Sequence, residues 1–60
     1  MTRADLLRQR ANDAELRARA LADQADAGDP DARQASDAEA VAARVLLELA
    51  GVEDELGEAA

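Results

Sequence analysis

Ala27-Gly28-Asp29-Pro30-Asp31 lies near the middle of the chain, and its reading decides the fold. Gly28 tolerates the positive φ that closes a helix through a left-handed residue. Asp29 is a helix-capping residue, and Pro30 suits the first helical position, where a missing N–H leaves no bond unmade. A helix stop and a helix start therefore stand back to back. The segment predicts an all-α chain, an antiparallel two-helix hairpin in a single domain. The elements fall at about 3–27 for helix 1, 28–30 for the turn, 30–50 for helix 2 and 52–60 for an acidic C-terminal tail. A second start for helix 2 competes with the first. Ser36-Asp37-Ala38-Glu39 is a capping-box pattern and would lengthen the connection to residues 28–35. Short connections are the rule between packed helices, which favours Asp29.

Working outward from the turn, helix 1 opens on Thr2 as cap, with Asp5 three residues on as the acidic partner of a capping box. Met1 and Leu6 have the spacing of a hydrophobic staple. Ala4, Leu7, Ala11, Ala14, Ala18, Leu21 and Ala25 then recur at alternating intervals of three and four, a heptad seam held from end to end. A layer made only of Ala needs a bulky residue opposite, or helices that approach very closely. Beside this seam run Arg3, Arg10 and Arg17, each seven residues from the next, with Arg8 on the other flank. Residues 1–20 carry a net charge of +2 and residues 21–60 a net of −9. The plain reading of Arg3, Arg10 and Arg17 is charge pairing across the hairpin with acids such as Glu48. The sharper reading is a basic face for phosphates.

On helix 2 the seam reads Ala35, Ala38, Ala42, Val45, Leu49, Val52 and Leu56, small near the turn and bulky away from it. Starting at Asp29 sets Val45 beside Ala11 and Leu49 beside Leu7; starting at Ser36 moves both by one heptad. Val41 and Leu46 flank the stripe on either side. The resulting face, Val41, Val45, Leu46, Leu49, Val52 and Leu56, is wider than one partner helix covers. It predicts a hairpin completed as a four-helix bundle, by dimerisation or by docking on a larger partner. Gly51 is the expected end of helix 2, with Val52 closing back on Leu47.

Composition removes most other functions. The 60 residues contain no Cys, His, Lys or aromatic residue, and all seven basic residues are Arg. Disulfides, the commonest zinc ligands, base stacking and cation–π sites are excluded together. The usual general bases and covalent nucleophiles are absent too, so the chain is read as no enzyme by itself, with no catalytic residue, no metal and no cofactor. Asp23, Asp26, Asp29 and Asp31 cluster at the turn, but a calcium loop counted from Asp26 puts Asp31 where glycine belongs. The longest apolar run, Val45-Leu46-Leu47, is too short to span a membrane, and Met1-Thr2-Arg3 is not expected to open a signal peptide. Seventeen Ala beside Arg-only basicity fits GC-rich coding; adaptation to high salt is the rival account of the net charge of −7.

The expectation is a cytoplasmic or assembly-borne protein-interaction module, acting through helix 2 as a homo-oligomer or as a small subunit of a larger complex. One alternative is an acidic regulator, inhibitor-like or antitoxin-like, seated on the basic surface of a nucleic-acid-binding protein. The third reading, RNA or DNA binding through Arg3, Arg10 and Arg17, has the net charge against it.

Overall fold

The computed structural model describes residues 1–59, the side chains of 58 and 59 excepted. Two helices, α1 (Arg3–Asp26) and α2 (Pro30–Ala59), pack along their length as an antiparallel hairpin. The molecule is a rod of 50 × 16 × 10 Å. Its radius of gyration is 14.1 Å, against about 10 Å for a compact chain of this size. A rod two helices wide has one internal seam and two open flanks.

Local chemistry sets the ends of α1. Thr2 is the N-cap: its hydroxyl accepts from the Asp5 N–H and the Asp5 carboxylate accepts from the Thr2 N–H, both at 3.1 Å. At the other end Gly28 takes φ +114°, the single positive φ among the described residues. Gly28 N–H donates to the Ala25 carbonyl at 3.0 Å and Asp29 N–H to the Gln24 carbonyl at 3.2 Å, the paired bonds of a Schellman stop. The Asp29 carboxylate then accepts from the N–H groups of Asp31 and Ala32, so α2 starts at Pro30. Met1 is 86% exposed and closes no staple over Leu6.

Two features differ from the sequence expectation. The first is the seam of α2. Ala32, Ala43 and Ala50 are buried, while Ser36, Glu39, Leu46 and Glu53 are half-buried. Ala35 of the expected 35-38-42-45-49-52-56 stripe is also half-buried, but this set lies one residue along from that stripe, a rotation of about 100°. The reason lies in α1, whose buried residues are Ala4, Ala11 and Ala14. Small side chains on both helices let the backbones close together, and dispersion over the whole length replaces the burial of bulky groups. Ser36 reports that closeness: its hydroxyl donates to the Ala18 carbonyl of the facing helix at 2.8 Å, using the oxygen's second lone pair.

The second difference is length. Gly51 lies inside α2, which continues to Ala59 instead of stopping near residue 50. Stopping there would free Glu53, Asp54 and Gly57, which lie beside the first turn of α1 and share a groove with Thr2, Arg3 and Ala4. That cover offsets a glycine penalty of about 1 kcal/mol in a helix interior. The side chains of Glu58 and Ala59, and all of Ala60, belong to the expected tail but lie outside the described residues.

Candidate interaction face

With Ala filling the seam, the larger apolar side chains of α2 are displaced outward. Val41, Val45, Leu49, Val52 and Leu56 remain 47–61% exposed. They recur at three- and four-residue intervals, so they share one flank of the helix. Leu46 parts from them and lies half-buried on the seam. The expected interaction face is therefore split: five of its six residues line the open flank, and one helps hold the hairpin.

On the same flank a groove separates the helices. Its walls are Arg3, Leu6, Leu7 and Arg10 from α1, and Leu49 and Glu53 from α2. Leu49 thus lies level with Leu7, the register of the short turn. Leu6, whose sequence position suggested a local staple, widens this apolar floor at 45% exposure. The opposite flank holds a second groove, walled in part by Ala18, Ala40, Ala43 and Leu47 between the charged Glu15, Arg19 and Arg44. Only the first flank carries a continuous apolar stripe.

Charge is arranged along the rod in matching steps. Arg3 pairs with Glu53 at 3.7 Å and Arg17 with Glu39 at 3.2 Å, both across the hairpin. Arg10, between them, makes no ion pair among the described residues and stands at the groove rim. Glu48, the acid expected to face these arginines, pairs with none of them, because the one-residue rotation of α2 brings Glu39 and Glu53 inward instead. On the other flank Arg8 bridges Asp5 and Asp54, and at the turn Arg33 pairs with Asp26. Each pair keeps at least one well-exposed partner, while Glu39 and Glu53 are 30% and 33% exposed, so each contributes modestly to stability; their use is to hold register.

One carboxyl is perturbed. The Thr2 N–H and hydroxyl hold Asp5 below the usual aspartate range, and Arg8 adds to the effect. That belongs to a helix cap. Among the described residues no three His, Cys, Asp or Glu side chains stand together as a metal site, and no helix is long and apolar enough to cross a membrane. Among the turn acids, Asp29 caps α2 and Asp26 meets Arg33.

Sequence reading missed Ser36 as a cross-link and Arg8 as a partner of Asp54. The signal for Ser36 was its small size at a seam position one residue from the more apolar choice. No known protein family, curated protein or solved structure matches this chain.

Proposed function

We propose that the chain is a non-catalytic protein-interaction module, a small accessory or assembly subunit that lays the α2 stripe against another helical surface. Covering that stripe completes a four-helix bundle. The observation that carries this reading is the inversion of the core: among the described residues every buried one is Ala, while five Val and Leu at three- and four-residue intervals stay about half exposed. Single apolar residues scattered on a surface are ordinary; an aligned series along one helix is an interface pattern. Chains this short draw only a few kcal/mol from their own core, so covering more apolar surface adds a large fraction of their stability. Such a part would work in the cytoplasm or inside a larger assembly.

The acidic-regulator reading has less support, because Glu39, Glu53 and Asp54 of α2 already answer arginines of α1. The same pairs occupy Arg3 and Arg17, which weakens nucleic-acid binding through the Arg edge.

The test is thermal melting by circular dichroism, with sedimentation, on the wild type and on the double variant Val45→Ser, Leu49→Ser. The expected result is a chain that is labile when dilute and gains stability with its own concentration or with a cognate partner. The variant loses that gain. A dilute, stably folded monomer that tolerates both substitutions overturns the reading.

A further inference from the structure

The reading of the α2 stripe as an interface leaves its occupant open, and the charges around the stripe select one. We infer that the stripe is covered by a second copy of this chain, related by a two-fold axis running along the rod, with Arg10 meeting the partner's Glu48. This rests on the stripe being an interface at all.

The argument begins with what the flank presents. Its α1 half carries Leu6 and Leu7 with Arg3 and Arg10 between them on the helix surface, and its α2 half carries Leu49 and the rest of the stripe. Beyond the stripe, on the outer edge of α2, lie Glu48 and Glu55, seven residues apart on one helix face. Arg10 on the α1 half and Glu48 and Glu55 on the outer edge of α2 are all exposed and without ion pairs among the described residues. A closed dimer uses the same patch twice, so the patch must complement itself. A surface with Arg10, unpaired among the described residues, on its α1 half, and with Glu48 and Glu55 outnumbering Arg44 on the outer edge of its α2 half, meets that condition.

Two face-to-face arrangements close. With the axis across the rod, α1 lies over α1 and α2 over α2 in reversed direction, so like halves meet: Arg over Arg, Glu over Glu. With the axis along the rod, each outer edge of α2 lies over the partner's α1 half, and α2 enters the groove between the partner's helices. Leu49 and Leu56 then approach their own counterparts near the axis, while Val52, about two residues from the level of Leu6, covers the partner's Leu6. This is the better use of a stripe wider than one helix covers.

Register supports the pairing. Leu7 with Leu49, Arg3 with Glu53, and Arg17 with Glu39 fix which residues stand level along the hairpin. On that scale Arg10 is level with about residue 46 of α2. A two-fold axis along the rod preserves level, so the partner's Glu48 lies about two residues, roughly 3 Å, from the height of Arg10. An arginine side chain spans that offset. Symmetry makes the contact twice.

The experiment is sedimentation equilibrium across the micromolar range on the full chain, with helicity checked for each variant. The wild type should dimerise and Leu49→Glu should abolish the dimer. Arg10→Glu and Glu48→Arg should each weaken it about tenfold, since two attractions become two repulsions. An equimolar mixture of those two variants restores opposite charges at both contacts and should associate like the wild type. A wild type that stays monomeric overturns the proposal. So does a dimer lost with Leu49→Glu but indifferent to the charge reversals, or one that mixing fails to rescue; either result leaves the stripe as an interface for another arrangement. A dimer indifferent to Leu49→Glu overturns both the arrangement and the interface.

Discussion

Gly28 and Gly51 are the same residue in opposite circumstances, and each argues for a different mutation. At φ +114° Gly28 holds a conformation that a Cβ penalises, although nothing lies within 4 Å of where that Cβ would go. Gly28→Ala should therefore destabilise the hairpin by about 1–2 kcal/mol through the backbone alone. Gly51 also has open space around it, but its φ is not positive and it lies inside α2. Gly51→Ala should raise stability by about 0.5–1 kcal/mol. Chemical denaturation of the two variants gives opposite signs if α2 runs through Gly51; equal losses would mean that the helix stops there. Thr2 supplies the other residue-scale prediction. Thr2→Ala removes the cap at a cost of about 1 kcal/mol. It should also raise the depressed Asp5 pKa toward the ordinary aspartate value, readable as a carboxyl titration by NMR. The sign follows from linkage: a carboxyl lowered in the folded state contributes above its unfolded pKa and loses that contribution as pH falls through the folded value. Helicity at the start of α1 should fall over that acid range, and Asp5→Asn should remove this dependence.

At the scale of the element, each helix carries two seams' worth of information and the hairpin uses one. The Ala seam of α1 was readable directly, because Ala4, Ala11, Ala14 and Ala18 align with Leu7 and Leu21 in one frame. For α2 the more apolar stripe was the wrong guide, since facing an Ala seam rewards small size over hydrophobicity. Ala43 at 2% exposure and Ala11 at 1% mark where the helices leave no room. Ala11→Leu or Ala43→Leu should cost about 1–3 kcal/mol by overpacking, whereas Ala20→Leu, on the exposed side of α1, should be nearly neutral. Urea midpoints decide this, and a tolerated leucine at position 43 would mean that the helices stand further apart. The Ser36 hydroxyl, bonded to the Ala18 carbonyl, provides a second check. Ser36→Ala should be mild because that carbonyl keeps its helical bond, and Ser36→Val should be worse because volume is what the site lacks.

The whole molecule is a rod without an interior large enough for its own leucines. Its eight Leu, three Val and one Met are spread over half-buried and exposed positions, and none is fully buried. If the proposed assembly supplies the missing burial, a melting temperature that rises with protein concentration is its signature. Net charge bears on the same measurement. α2 carries eight acids against two arginines while α1 balances five against five. An arrangement that sets α2 against α1 of another copy avoids the heavier repulsion of α2 on α2.

Sequence alone determined that the chain is two helices joined at Gly28-Asp29-Pro30, and it favoured the start at Asp29 over Ser36 without deciding the register. Gly28, Asp29, Pro30 and the Thr2–Asp5 box act within a few residues of themselves, and such local hydrogen bonds and dihedral preferences are written where they act. It also marked Val41, Val45, Leu49, Val52 and Leu56 as an apolar series along α2, and the structure leaves these side chains exposed. Only the tertiary structure decided which face of α2 meets α1, where α2 ends, and which arginines find acids. Those outcomes depend on how closely two backbones can approach, a property of both helices together. Alanine on α1 drew the small residues of α2 inward and turned Val41, Val45, Leu49, Val52 and Leu56 to the outside.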